Sequence, residues 1–546
     1  MYKIMIKDHG EIDAPEGSTL FNVANNIVAD RQPYVLAIVD QRVQDLSAQI
    51  EMDGSVEFIT IAHPEGFRAY QRSVVFLMIV AAKSLLGPKT RVVIEHSINK
   101  NLFCEIRDVD ITEKLLRTIE RKMREMARRD TPISKNVLSV SEAMKIAEQF
   151  GYEDKAALLK YRRVSNVNFY KLDGYYDYFY GPMLPTTGLI NNFKLIKRQR
   201  HGFVLQMPSP QNAYELAEIT PNTKISEVFA ESNEWARILN VDTVGALNDL
   251  ICRGEAGDII RINEALHEKK IAYLADRIHD EKKTIVLIAG PSSSGKTTFA
   301  QRLCIQLRVN GLRPSVISLD DYFLDREYSP RDVEGKLDYE TIEAIDIKKF
   351  NDDLSALLAG EAVEVPRFDF IVGRRAPQGR IIKLLTGDVL IVEGIHGLNE
   401  RLTEHIPRDK KFKIFISALT QLNVDDHNRI PTTDTRLLRR IVRDNRARGV
   451  NAAQSINRWS SVLRGENTFI FPFQEEADGF FNSALVYEMC VLKQYAEPLL
   501  FRVEKDEPEY MEARRLIKFL DTFLGIDSEV VQSNSILREF IGGSCF

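Results

Sequence analysis

The sequence predicts an α/β protein whose C-terminal half is built on a parallel sheet and is preceded by two smaller α+β domains. Two observations carry this reading. After Lys283 four short apolar runs (285–289, 315–319, 389–392 and 412–417) alternate with stretches of helical periodicity, the pattern of strands buried on both faces. Before residue 208 short β-like runs are mixed with helical stretches and turn dipeptides, the texture of small α+β modules.

Taken in order, 1–62 holds β-like runs at 2–6, 34–39 and 55–60, turns at Pro15-Glu16-Gly17 and Asp53-Gly54, and one helical stretch at 20–27. In 63–222 an apolar helix is predicted over 70–86, a charged amphipathic helix over 111–129, and an aromatic strand pair over 167–180 turning at Asp173-Gly174. Breaks at Pro208-Ser209-Pro210 and Thr220-Pro221-Asn222 lead into 223–282, a mostly helical connection. The parallel-sheet domain occupies 283–500, and 501–546 is a helical extension without assigned chemistry.

At about 150 residues per domain, 546 residues allow three or four domains. Lys and Arg number 73 against 78 Asp and Glu, a net charge of −5, so the chain is not coated in basic charge and any polyanion site is local. The longest apolar run, 74–82, falls short of the ~18–20 residues of a membrane span, so no membrane association is expected. The opening MYKIMIKDHGEI lacks the marks of a signal peptide, and a cytoplasmic protein is expected. Five scattered cysteines (Cys104, Cys252, Cys304, Cys490 and Cys545) form no CxxC pair, so reduced thiols are expected rather than disulfides or a cysteine zinc site.

The strongest chemical signal is Gly290-Pro291-Ser292-Ser293-Ser294-Gly295-Lys296-Thr297, which matches G-x-x-x-x-G-K-[ST] between a predicted strand and a helix continuing through Thr298. The glycines let backbone N–H groups curl round phosphates, Lys296 reaches the β and γ phosphates, and Thr297 is placed to ligate Mg²⁺. ATP or GTP is the implied ligand. The strand 315–319 ends in Asp320-Asp321, at the edge where open α/β sheets carry their reactions, and a carboxylate there can accept a hydroxyl proton. The strand 389–392 ends in Glu393, an acid placed to act on the Mg²⁺ shell. Between Asp434 and Gly449 lie Arg436, Arg439, Arg440, Arg443, Arg446 and Arg448, a charge set suited to a lid that neutralises a transferring phosphoryl group.

In this order these pieces resemble the uridine kinase branch of the uridine kinase and phosphoribulokinase family, through GPSSSGKTT, SLDDYF, KLDYETIEAID, VPRFDF, VLIVEGIHGL and DTRLLRRIVRDNRARG. The resemblance implies a phosphate-loop kinase that uses ATP and Mg²⁺ to phosphorylate a nucleoside 5′-hydroxyl. It implies that Asp320 is the base, that Asp338 holds the ribose hydroxyls, that Phe368 and Phe370 line the acceptor pocket, and that Arg440, Arg443 and Arg448 serve the substrate and the phosphates. Three base-reading positions depart from the family: Phe368 stands for Tyr, Gly373 for His and Arg458 for Gln, while Val450 replaces an Arg common in the lid. The base recognised therefore stays open, and Arg458 is able to meet an anionic substrate.

The N-terminal stretches EIDAPEGSTLFNVANNI and VQDLSAQIEMDGSVEFIT resemble a TGS domain over 1–62. HPEGFRAYQRSVVFLMIVAAKSLLG and FYGPMLPTTGLINNFKLIK resemble the editing (second additional) domain of threonyl-tRNA synthetases over 63–222. Where those enzymes gather two His, a Cys and a further His for deacylation, this chain has Arg72, Phe76, Phe179 and Met183, so neither a zinc site nor an editing hydrolase is expected. The helix 111–129 carries seven Lys and Arg against three Glu, which suits either RNA phosphates or a solvated face. Three readings stay open: a nucleoside kinase, a kinase of another small alcohol or sugar phosphate, and an RNA-associated regulatory ATPase. A homo-oligomer is expected.

Overall fold

Five parallel strands form the centre of the C-terminal half, the inner Ile285–Ala289 and Asp388–Glu393 being apolar on both faces along most of their length. In the computed structural model they lie in the order Arg313–Ser318, Asp388–Glu393, Ile285–Ala289, Lys411–Ser417 and Gly479–Asn482. The structure describes residues 1–546 except 28–32, 99, 199–200, 210–211, 220–222, 332–334, 336 and 371. The breaks read at Pro210 and Thr220-Pro221-Asn222, and Lys336 of the KLDYETIEAID segment, lie outside the described residues. The chain divides into two units, Met1–Pro221 with Thr243–Asp249 and Leu422–Ile430, and Asn222–Asp242 with Leu250–Gln421 and Pro431–Phe546.

In the second unit the strand Ile285–Ala289 is the middle one and is buried throughout. Its carboxyl end runs into the phosphate loop and then the helix Lys296–Val309. The fifth strand, Gly479–Asn482, escapes a reading of apolar runs because only Phe480 and Phe481 in it are apolar. The helix Ala256–Asp280, expected as part of a connection, is a layer of this fold: Ile259, Ile260, Ile271, Leu274 and Ile278 are buried, and its Glu264 and Glu268 accept from Arg302 at 3.3 and 2.7 Å.

The first unit begins with a five-stranded sheet ordered Gly10–Ala14, Tyr2–Ile6, Gly54–Ile59, Leu36–Val39 and Arg42–Asp45. The helix Pro64–Leu86 follows, six residues longer at its start than its apolar pattern predicts. His63 caps it, its Nδ1 accepting from the Glu65 N–H at 3.2 Å, and Pro64 supplies a first residue whose missing N–H costs nothing. This helix corrects the expectation drawn from run length. At 23 residues it is long and apolar enough to cross a membrane, and 72% of its most apolar window is buried inside the unit, as a core helix is.

Residues Leu422–Ile430, just before the arginine helix in sequence, belong to the first unit, where charged groups buried out of water fasten them. Lys155 Nζ lies 2.6 Å from Asp425 Oδ1 and 3.2 Å from Asp177 Oδ1, and His427 Nδ1 lies 2.6 Å from Asp177 Oδ2. Burial penalises the ammonium, but Asp177 and Asp425 outweigh it and hold Lys155 above its ordinary range.

Candidate active site

The phosphate loop is shaped by close approaches that only glycine permits. A Cβ on Gly290 would come within 2.1 Å of the Ile416 carbonyl oxygen, and Gly295 has φ +85°. Ser293 shares the left-handed region at φ +59°. Lys296 Nζ folds back to donate to the Gly290 and Pro291 carbonyls at 3.1 and 3.3 Å, so the loop's own backbone positions the ammonium. Ser294 and Thr298 are buried beside it.

Glu393 closes the neighbouring strand. It is buried, and its Oε1 accepts from Ser318 Oγ at 2.9 Å and from Thr297 Oγ1 at 3.4 Å. Burial, with the Asp320 charge added, pushes its carboxyl up to about 7 against the pull of Lys296. A hydroxyl and one desolvated carboxylate beside a phosphate loop fit Mg²⁺, which takes few protein ligands and keeps waters and phosphate oxygens for the rest. Among the described residues no cluster of three His, Cys, Asp or Glu offers a full protein cage for a metal.

Asp320 sits half-buried in a single turn, Leu319–Tyr322, at the end of the edge strand. Its neighbour Asp321 is turned to structure: Oδ1 accepts from the Phe368 N–H at 3.1 Å and so fixes the start of the VPRFDF strand against the Leu319–Tyr322 turn. The side chains beyond are aromatic. Phe368 lies 5.9 Å from Phe323 and 5.1 Å from Phe370, centroid to centroid, and Tyr339 lies 6.0 Å from Phe323. At Gly373 a Cβ would come within 2.6 Å of Arg326 Nε, so the glycine seats a guanidinium.

The helix Thr432–Arg448 delivers its arginines to two tasks. Arg440 Nη1 donates to Ser292 Oγ at 3.0 Å, and Arg440, Arg443 and Arg448 gather on the buried Asp444 at 3.2, 3.3 and 3.5 Å. The Arg448 guanidinium lies 5.1 Å from the Phe370 ring centre, and burial lowers the affinity of Arg440 and Arg448 for their protons. Arg436 and Arg439 are instead fully buried brackets. Arg436 pairs in bidentate fashion with Glu466, whose Oε1 also accepts from the Ser292 N–H at 2.9 Å. Arg439 donates to the Ser293 carbonyl at 3.3 Å and to Glu488 at 2.7 Å. A lid in which all six arginines face phosphates is thus not what folds.

The other expected positions divide. Asp338 is half-buried and its Oδ1 accepts from the Glu340 N–H at 3.0 Å, an Asx-type turn within the loop. Arg458 is exposed on the helix Ala452–Phe469, and among the described residues no hydrogen bond or ion pair joins it to the loop or the aromatic pocket. Glu340 is a site residue that sequence reasoning misses. It packs on Gly465, where a Cβ would fall 2.2 Å from its own Cβ, and its Oε2 is buried without a hydrogen-bond partner. Burial pushes its carboxyl up to about 7, with Arg440 and Lys296 pulling it down and Glu466 and Asp320 pushing it further up. The one sequence signal is Gly465, a glycine inside a helix.

In the first unit, the four positions that replace the synthetase deacylation residues meet as packing. Phe76 and Phe179 meet at 5.5 Å with their rings tilted by 58°, Met183 is buried, and Arg72 donates to the Pro182 carbonyl at 3.0 and 2.8 Å. On the helix Glu113–Arg128 the basic residues Arg117, Lys122 and Arg124 pair with Glu113, Glu125 and Glu120.

Known proteins resemble both halves. Residues 285–487 match the family model described as the Phosphoribulokinase / Uridine kinase family. A uridine kinase of Deinococcus deserti is 29% identical over 196 residues, 36% of this chain and 84% of that kinase. In the N-terminal region a threonine–tRNA ligase of Pelobacter propionicus is 31% identical over 195 residues, 35% of this chain and 30% of the ligase, and one of Thermotoga neapolitana is 26% identical over 197. The chain spans about 30% of the length of the ligases it matches. A solved structure of a possible uridine kinase from Bacillus stearothermophilus is 20% identical, with 39% of this chain and 98% of that chain covered and a TM-score of 0.28.

Proposed function

We propose that the C-terminal half transfers the γ-phosphoryl group of ATP to a hydroxyl of a small acceptor, a nucleoside-like alcohol with a planar ring. The observation that carries this is the position of Asp320, at the carboxyl end of a strand two places from the strand of the phosphate loop, close enough for its charge to act on Glu393 and next to Asp321, which holds the Phe368 N–H. A regulatory ATPase has no need of a strand-end base facing an acceptor pocket. The family match over 285–487 supports a kinase, and the aromatic walls Phe323, Tyr339, Phe368 and Phe370 support a flat acceptor.

In this reading Asp320 accepts the proton of the attacking hydroxyl, and Lys296 leaves the loop carbonyls to bind the phosphates. Arg440, Arg443 and Arg448, pre-collected on Asp444, neutralise charge on the group in flight. Mg²⁺ held by Thr297 and the Glu393 shell would supply charge neutralisation across the β and γ phosphates. Phe370 and Arg448 hold the acceptor ring at the mouth of the pocket. Arg326, seated on Gly373, takes the space in which the related kinases carry a base-reading side chain, so the acceptor differs from a plain pyrimidine nucleoside in the group that meets this guanidinium. The test is transfer from labelled ATP to a panel of purine and pyrimidine nucleosides, simple sugars and sugar phosphates, with products identified by mass. A monophosphorylated nucleoside is expected, and a panel that yields only free phosphate overturns the reading.

A further inference from the structure

The C-terminal segment lies on the phosphate loop. Ile536, fully buried, is seated against Gly295, where a Cβ would come within 2.5 Å of its Cγ2. One turn on, Glu539 Oε2 accepts from the Thr298 N–H at 3.2 Å. That N–H belongs to the first turn of the helix Lys296–Val309, whose amides have no partner within the helix and are the groups that bind phosphate in such loops. The carboxylate is held there by packing. Leu537 and Phe540 are fully buried, Arg538 donates to the Ser528 and Val531 carbonyls at 2.8 and 2.7 Å, and the Arg439 guanidinium lies 4.9 Å from the Phe540 ring centre. The arginine helix adds a clamp: Arg446 Nε donates to the Phe540 carbonyl at 3.2 Å and Nη2 to the Glu539 carbonyl at 3.0 Å.

We propose that Glu539 is a built-in anionic occupant of the phosphate loop, which holds the Thr298 N–H in the nucleotide-free protein and is displaced when nucleotide phosphates bind. The proposal rests on the reading of this loop as a nucleotide site. One N–H donates one well-directed hydrogen bond, and two anions at one desolvated amide repel, so carboxylate and phosphate exclude each other. The segment thereby restrains nucleotide binding. Through Arg446 its release reaches the helix that carries Arg440, Arg443 and Arg448, so the arginines are freed to rearrange as the phosphates arrive.

Calorimetric binding of ADP to the full-length protein tests this, wild type against Glu539→Gln, which keeps the shape and removes the charge. The variant is expected to bind ADP about tenfold more tightly, the scale of one charge-assisted hydrogen bond. Unchanged or weaker binding overturns the proposal. Hydrogen exchange of the unmodified protein gives a second readout that needs no variant: ADP is expected to speed exchange across 535–546, and protection there overturns the proposal. If neither wild type nor Glu539→Gln binds ADP, the nucleotide reading of the loop fails and takes this proposal with it, whereas ADP binding indifferent to Glu539→Gln removes the proposal alone.

Discussion

Glu340 has one carboxylate oxygen buried without a partner, and its carboxyl is pushed up to about 7 from an ordinary 4.5. A carboxyl raised on folding favours the fold while protonated. Its contribution is fully present below pH 4.5 and is lost as the pH rises through about 7, on the order of 3 kcal/mol across that interval. The thermal midpoint of the wild type is therefore expected to fall more steeply between pH 5.5 and 8 than that of Glu340→Gln, whereas parallel curves would show that Glu340 does not titrate there. Phe370 makes a different kind of prediction. Its ring is 41% exposed and carries Arg448, so Phe370→Ala is expected to leave the thermal midpoint in place while raising the acceptor KM by about 2- to 30-fold, the range of one cation–π contact. At this scale the phosphate loop was legible, because few sequences place two glycines, a lysine and a threonine at that spacing after an apolar strand. Glu340 was not legible. A glutamate two residues after Asp338 in a polar segment gives no sign that it will be buried against a helix glycine a hundred residues on.

The arginine helix shows how one run of like charges splits between folding and chemistry. Its N-terminal half puts Arg436 and Arg439 against Glu466, Glu488 and the loop carbonyls, and its C-terminal half carries Arg440, Arg443 and Arg448. Removing one partner of a buried pair leaves the other charge uncompensated, a cost of about 3–5 kcal/mol. Arg436→Met is accordingly expected to lower the thermal midpoint and slacken ADP binding, since Glu466 also holds the Ser292 N–H. Arg443→Ala is expected to leave the midpoint unchanged and to cut phosphoryl transfer by one to three orders of magnitude, the scale of a lost charge-stabilising donor. Equal loss of stability in the two variants would contradict this division. The sequence read the six arginines as one charge set suited to a lid, and only the family resemblance set Arg440, Arg443 and Arg448 apart, because a charged side chain is solvated by default and becomes a bracket only when a distant carboxylate, here Glu466 or Glu488, meets it. The strands were easier: Ile285–Ala289 has no polar residue to leave a choice of environment, whereas Gly479–Asn482 holds only two apolar residues, Phe480 and Phe481, between a glycine and an asparagine.

At the scale of the whole molecule, chain order and spatial membership differ. Leu422–Ile430 sits within the C-terminal half of the sequence yet belongs to the first unit, held by the Lys155, Asp177, Asp425 and His427 cluster. Asp425→Asn is expected to destabilise the first unit by several kcal/mol, because Lys155 would stay buried with half its counter-charge, and limited proteolysis should then cut within 1–221 at lower temperature than in the wild type. No local pattern announces this, since the partners lie about 250 residues apart and each reads as a surface charge. The two α+β domains of the first unit were legible as a texture of alternating strands, and the resemblance to threonyl-tRNA synthetases over that region is matched by the ligases of similar sequence. The proposed phosphoryl transfer turns on Asp320. The most direct measurement follows two quantities in wild type and Asp320→Asn: affinity for ADP, and transfer from ATP to whichever acceptor the panel identifies. The account predicts unchanged ADP affinity and transfer reduced by two to four orders of magnitude, as loss of a general base entails. Transfer that survives the substitution within a few-fold would contradict it.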